Sequence, residues 1–444
     1  MSRCIWGWVI WLNFVGGLAL GADAWPLEAV RLKSGATLTG LVGEENNGQY
    51  SLKQVLRAPG LPPYVVEGVL DAAEVEQIER LPAAERTKLV AHLAAAERDK
   101  EAEIKRRGTV VFKEIRTASG TVRARQYDSK YLIVESDLPE ATLREVVVRL
   151  EDVFELLTHK LRPKSPVEKP LRIVVFNGLA EFQSWQKKSG QALHGLACYD
   201  AKFDGVAAGT EIGRLAGELE KVKLDHQDKS RRLDEFLVRL KAHFGGKPPL
   251  GGLQQVRSIR QQMVDFDFEN QVSFNEMRTR FLAALADAVL QGYLDRFICP
   301  GWAGGGPRWL GAGLGQMVEA AVEEPGPLQL EAISKSRLTL AQAALRKGEL
   351  TPIERLISAQ DSALNPNHVP EPATQDRDFL TAWALAQFVL GERRLLGAPA
   401  VEEYLTRTNK TTDARAGFEK LVGQPLPEFE KQFHVWLQNV APPR

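Results

Sequence analysis

Leu171-Arg172-Ile173-Val174-Val175-Phe176-Asn177-Gly178-Leu179-Ala180-Glu181-Phe182 is the stretch on which the fold turns. Its first six residues are a nearly unbroken apolar run, which predicts the strongest strand of the chain. Upstream, Val110-Val111-Phe112 and Tyr131-Leu132-Ile133-Val134 predict two more strands. Ser136-Asp137-Leu138-Pro139 then opens a helix, with Asp137 as the expected cap and Pro139 in the first turn. Val146, Leu150, Val153 and Leu157 repeat at helical spacing and predict its buried stripe. Strand, helix, strand is the opening of an α+β or α/β domain.

Downstream of this core the chain turns helical. Ile212, Leu215, Leu219, Val222, His226, Leu233, Phe236 and Leu240 fall on a three-four seam, and Gly245-Gly246-Lys247-Pro248-Pro249 breaks it. Leu253, Val256, Met263 and Phe266 resume the pattern, so residues 211–268 predict an inserted helical hairpin. His226, inside that seam, reads as a packed structural histidine. Residues 273–324 predict a helix, a Gly-rich loop and a second helix, and 327–440 are mainly helical. Phe379, Trp383, Leu385, Phe388, Phe418, Phe429, Phe433 and Trp436 recur at helical spacing, where aromatic residues are expected in a core.

The N-terminal part has a different texture. Residues 1–24 combine a basic start at Arg3, an uncharged stretch from Cys4 to Leu20 and the small-residue pattern Ala22-Asp23-Ala24. This fits a secretory signal peptide cut after Ala24 and implies export to the periplasm or the exterior. An uncleaved anchor is the alternative, although 17 uncharged residues are short for a membrane span. No later stretch has the pattern of a membrane span. Residues 27–75 alternate around Lys33-Ser34-Gly35 and Asn46-Asn47-Gly48 and predict a small SH3-like, barrel-like β unit. Residues 76–108 are heavily charged and predict a solvated linker helix. The expected fold class is therefore α+β, mainly helical, with a main domain over 109–440 that carries the 211–268 hairpin.

The composition narrows the function. In 444 residues, 57 Lys and Arg balance 57 Asp and Glu, so the formal net charge is zero. That excludes a strongly basic nucleic-acid protein and gives no general pull toward anionic membranes. Beyond the signal segment two cysteines remain, Cys198 and Cys299. In an exported chain they could form one disulfide, and two buried thiols are the alternative.

The order of several phrases resembles the peptidase-MA-like domain of secreted bacterial proteins, a domain of unknown function related to the gluzincin metallopeptidases. The phrases are YLIVESDLP at 131–139, LRIVVFNGLAEF at 171–182, PRWLGAGLG at 307–315, TAWALAQFVL at 381–390 and the segment 418–433. The resemblance covers about 109–440 and implies an H-E-x-x-H helix whose two histidines bind zinc, with the Glu as general base and a further Glu as third ligand. Matching the apolar flanks puts the first His at Ala284, the base at Leu285, the second His at Ala288 and the third ligand at Ala312. None of these side chains can bind zinc or take a proton from water. The seven histidines, His92, His159, His194, His226, His243, His368 and His434, include no pair within five residues, so no such helix exists anywhere in the chain.

Replacement centres are weak. Asp265, Asp267 and Glu269 alternate in DFDFE but lack the Gly turn of a calcium loop, and they read as a solvated helix end. His194 and Cys198 are four apart with no activating group in view. Asp287 is a lone carboxylate on the former site helix. No G-x-S-x-G and no Walker-type loop occurs. The expected function is a non-catalytic binding or assembly module of the cell envelope, without cofactor. Its partner would be a protein or peptide, with self-association through 211–268 as a further option and no nucleic acid. A hydrolase with an unrecognised centre at Asp287, Glu319 or His194–Cys198, or a structural envelope protein, are the alternatives.

Overall fold

The structure is a computed structural model. It describes the chain from residue 26 to 441 except for 34–36, 47, 57–63, 73–74, 117–122, 164–168, 190–194, 247–248, 301–305, 324–327, 359–371 and 408–412. The expected signal segment and His194 lie outside the described residues. The chain divides into two compact units, Ala24–Glu103 with Ile212–Arg278, and Ile104–Glu211 with Thr279–Arg444. The fold is α+β and mainly helical.

In the first unit, β1 (Glu28–Leu32), β2 (Thr37–Asn46), β3 (Gln49–Leu56), β4 (Tyr64–Asp71) and β5 (Val75–Glu79) form an antiparallel sheet in the order β4-β3-β2-β1-β5. Val30, Leu32, Leu38, Val42, Leu52 and Leu70 build its core, as the period-2 pattern requires. The barrel-like closure is corrected: among the described residues β4 and β5 do not pair, and the sheet stays open. In β5, Glu76, Gln77 and Glu79 are exposed, so this strand adds no second apolar row that closure could bury. Residues 76–79 thus belong to the sheet, and the charged helix α1 runs over Ala83–Thr109. Arg86 on α1 bonds the fully buried Glu28 carboxylate and donates to Val42 O at 2.8 Å. The second Glu28 oxygen accepts from Val42 N at 2.8 Å, so this buried charge is paired on both sides.

The hairpin consists of α4 (Ile212–His243) and α5 (Leu250–Tyr293), turned at Gly245 and Gly246, both at positive φ that only glycine adopts freely. The expected end at 268 is corrected. Neither Gly nor Pro interrupts 253–291, so α5 continues without a break into the segment expected to be a separate site helix. Lys223–Gln271 at 2.9 Å, His226–Asp267 at 2.8 Å and an Arg260–Asp234 ion pair set the antiparallel register of the two arms. Phe236 and Phe266, expected in the seam, are exposed.

In the second unit, β6 (Lys113–Arg116), β7 (Arg123–Asp128), β8 (Leu132–Ser136), β9 (Leu171–Phe176), β10 (Ala197–Asp200) and β11 (Gly205–Gly209) form one mixed sheet in the order β10-β11-β9-β8-β7-β6. The expected strand at 171–176 lies inside it, parallel to β8 and β11. The strand expected at 110–112 is displaced to 113–116, and Val111 is exposed. Helix α2 (Glu140–Lys160) buries Val146, Leu150, Val153 and Leu157, as the stripe predicts. Asp137 does not cap it. Pro139 holds the cap position, and Asp137 instead accepts from Asn177 N at 2.8 Å, tying the end of β8 to the end of β9. Helix α3 (Leu179–Lys188) follows β9.

The remaining helices are α6 (Arg308–Glu323), α7 (Lys335–Lys347), α8 (Ile353–Ser358), α9 (Pro372–Ala386), α10 (Pro399–Arg407), α11 (Ala414–Val422) and α12 (Leu426–Asn439). π-helical turns at Leu294–Ile298 and Gln387–Glu392 close α5 and α9. Trp383, Phe418, Phe429 and Phe433 lie in the core, whereas Phe379 is only half-buried. Among the described residues no helix is long and apolar enough to cross a membrane.

Helix α6 approaches α9 so closely that a Cβ at Gly313 would stand 2.5 Å from Ala386 Cβ and 2.6 Å from Ala382 O. Helix propensity alone favours Gly313→Ala by about 1 kcal/mol. Overpacking opposes it by about 1–3 kcal/mol. We expect a net loss of stability in urea unfolding, and a gain would refute the close α6–α9 contact.

Candidate functional site

The C-terminal third of α5 is fixed by the sheet of its own unit. A Cβ at Gly292 would meet the Tyr199 ring at 2.9 Å and Leu171 at 3.2 Å, so the helix rests directly on β9 and β10. Tyr199 donates to Asp295 at 2.9 Å, which together with burial pushes the Tyr199 hydroxyl well above its ordinary pKa. Phe154 packs edge-on against Tyr293 at 5.3 Å, and the Tyr293 hydroxyl bonds Leu161 O. Phe281, Leu285, Ala288 and Val289 are buried.

Helix α6 lies along the other side. Trp309 is fully buried and donates to Tyr404 on α10 at 2.9 Å, with Phe418 of α11 edge-on at 5.6 Å. This anchors the first turn of α6 and brings Gly311, Ala312, Gly315, Gln316 and Glu319 to a pocket of about 750 Å³. Asp287 and Gln291 of α5 form its inner wall, and α7 and α9 complete it. A Cβ at Gly315 would stand 2.1 Å from Asp287 Oδ1, so the carboxylate is pressed onto bare helix backbone. Gln291 Nε2 donates to Asp287 Oδ1 at 3.3 Å, a long bond. Burial pushes the Asp287 carboxyl up to about 6, opposed only by that bond.

The charges around this carboxyl are ordered. Arg337 donates to Glu319 at 3.0 Å and to Gln316 O at 2.7 Å, while Gln316 reaches Phe379 O on α9. Arg377 lies 3.6 Å from Glu349. Arg308 and Lys347 also line the pocket. The lining thus holds four cationic side chains and three carboxylates.

Of the positions that the resemblance implies for a zinc site, only Ala312 lines the pocket. Leu285 and Ala288 are core residues, Ala284 is half-buried, and none of the three lines the pocket with Ala312. The side of α5 that shares the pocket with Ala312 carries Asp287 and Gln291, one helical turn apart. A carboxylate and an amide do not make the three-ligand nitrogen, sulfur or carboxylate set that zinc takes in catalytic sites. Among the described residues no group of three or more His, Cys, Asp or Glu could hold a metal ion. Sequence reasoning noted Asp287 and Glu319 but missed Arg308, Arg337, Lys347 and Arg377; the only signal for these was their helical position, which becomes meaningful once the helices are docked.

The other candidates separate. Asp267 is taken by His226, whose ring also lies edge-on to Phe266 at 6.0 Å, so His226 is packed as expected. Asp265, Asp267 and Glu269 sit in the middle of α5 and not at a helix end. Cys198 and Cys299 are buried thiols with no disulfide between them, the second of the two alternatives. Burial, with Asp200 adding repulsion, pushes the Cys198 thiol up to about 12, which leaves no reactive thiolate. The His194 half of the Cys–His pair lies outside the described residues.

In comparisons with family models, curated proteins and solved structures, nothing matches this chain.

Two outcomes follow. The folded carboxyl of Asp287 holds its proton to about pH 6, against an ordinary value of 3.8. The folded state therefore binds more protons between these values, and stability from this group is present below pH 4 and lost as pH rises through 6. Asp287→Asn should raise unfolding free energy by about 3 kcal/mol at pH 7.5 and by little at pH 4; a pH-independent difference in urea melts would contradict the desolvated carboxyl. For the thiols, iodoacetamide should leave Cys198 and Cys299 unmodified in the native chain and modify both after denaturation without reductant. Protection after denaturation would reveal a disulfide.

Proposed function

We propose that this chain is an exported, non-catalytic relative of gluzincin-type peptidases that works as a binding or assembly module in the cell envelope. The observation that carries this reading is the pocket between α5 and α6. It lies beside the helix on which the resemblance would place a catalytic centre, and of the matched positions Ala312 lines it. Shifting the correspondence by three residues puts Asp287 and Gln291 at the two metal-ligand positions, Ala288 at the base and Ala312 at the third ligand. In either register the set lacks a histidine and a complete zinc shell. The N-terminal sheet supplies a second surface for assembly, and the segment 1–24 would deliver the chain to the envelope.

A hydrolase is the second reading, favoured by one observation: Asp287 and Glu319 share the pocket, and burial brings the first into the range useful for proton transfer. Metal analysis and peptide hydrolysis on the purified chain separate the two. We expect less than one equivalent of zinc and no chelator-sensitive hydrolysis. Stoichiometric zinc, or turnover abolished by Asp287→Asn, would sink the binding-module reading.

A further inference from the structure

The charge and the walls of the α5–α6 pocket select a class of ligand. Two of its three carboxylates already face a guanidinium: Glu319 is bonded by Arg337 at 3.0 Å, and Glu349 lies 3.6 Å from Arg377. The third, Asp287, sits on the inner wall against the backbone at Gly315, with Gln291 as its hydrogen-bond donor. Four cationic groups line the same space. Lys347, in the last turn of α7, is exposed and adds a positive charge at the pocket. The cationic excess makes the pocket a poor host for an ammonium ligand and a good one for an anion.

Apart from Gln291 and Gln316, the rest of the wall is apolar or backbone. Leu340, Ala343, Phe379 and Leu380 line it between the charged groups. A small inorganic anion would leave this surface wet. An organic anion covers it and removes apolar area from water. A volume of about 750 Å³ lies in the range of small-molecule pockets, large enough for a side chain with a short piece of backbone.

We propose that the α5–α6 pocket binds an organic carboxylate, its carboxyl group held by Lys347 and the neighbouring guanidinium groups and its apolar body against Leu340, Ala343 and Phe379. This deepens the binding-module reading above and rests on it. The carboxylate can be the free C-terminus of a peptide or a small carboxylic acid, because both offer the same two oxygens to Lys and Arg donors. Asp287 is the one acid in the lining that opposes such a ligand without facing a guanidinium, so removing its charge strengthens binding.

The probes are N-acetyl-L-phenylalanine, its primary amide and inorganic phosphate, titrated calorimetrically into the full chain at pH 7.5 and low salt. The acid should bind and the amide should bind about tenfold more weakly or worse, the equivalent of ~1.4 kcal/mol. Phosphate should compete poorly because it covers no apolar wall. Lys347→Glu should weaken the acid by about tenfold, and Asp287→Asn should tighten it severalfold. Urea melts of both variants confirm that they are folded. Equal binding of acid and amide, no effect of Lys347→Glu, phosphate binding as tight as the acid, or no binding of any probe would overturn the proposal. Release of ammonia from the amide would instead overturn the reading beneath it, since the chain would then be a hydrolase.

Discussion

The second unit depends on how little side chain α6 carries on two of its faces. Gly313 lets its backbone touch Ala382 and Ala386 of α9, and Gly315 lets it touch the Asp287 carboxylate of α5. Each helical glycine costs about 1 kcal/mol relative to alanine. The close approach on both sides offsets this through dispersion and burial, with Leu310, Leu314, Met317 and Val318 filling the remaining core positions. Trp309, held by Tyr404, fixes where along the bundle this thin helix enters. The pocket exists because α6 is narrow near Asp287 while Arg308, Gln316 and Glu319 project around its rim.

The same constraint sets the electrostatics. α5 cannot retreat from α6, because Gly292 already rests on Tyr199 and Leu171 and Tyr293 is bonded to Leu161 O. The Asp287 carboxylate is therefore confined between two helices with a single long hydrogen bond. A carboxyl in that position retains its proton more readily than one in water. By contrast Glu28, fully buried in the first unit, is satisfied by Val42 N and Arg86, and its charge serves to dock α1 on the sheet. The two carboxyl groups show how an acid becomes a structural tie where a guanidinium meets it and holds its proton where only a long amide bond does.

Much of this architecture was legible in the residues. The apolar run 171–176 marked the strand inside the mixed sheet, and the stripe from Val146 to Leu157 marked the buried face of α2, because both patterns repeat at the period of their element. β7 was not legible. Its sequence RARQYD has no apolar alternation, and beyond the buried Ala124 it is held by pairing with β6 and β8. The continuity of α5 was hidden by the charged run at 265–269, which reads as a terminus although no helix breaker is present. The pocket was hidden for a related reason. Apolar flanks on a helix match nearly as well after a shift of three or four residues, so the resemblance pointed to Ala284 and Ala288, which do not line the pocket. Only the docking of α6, with Gly315 against Asp287 nearly thirty residues later, shows that Asp287 and Gln291 face the pocket.

The mixed sheet ends at β10 on one side and β6 on the other. β6 reads Lys-Glu-Ile-Arg, with Lys113, Glu114 and Arg116 exposed and Lys113 paired to Asp128 at 2.7 Å. Any foreign strand that added to this margin would have to strip water from those charges as its backbone paired with the open hydrogen-bonding groups. That penalty guards the margin against runaway strand addition, the route by which open sheets seed aggregates. The charged edge strand thus protects the solubility of the sheet it terminates.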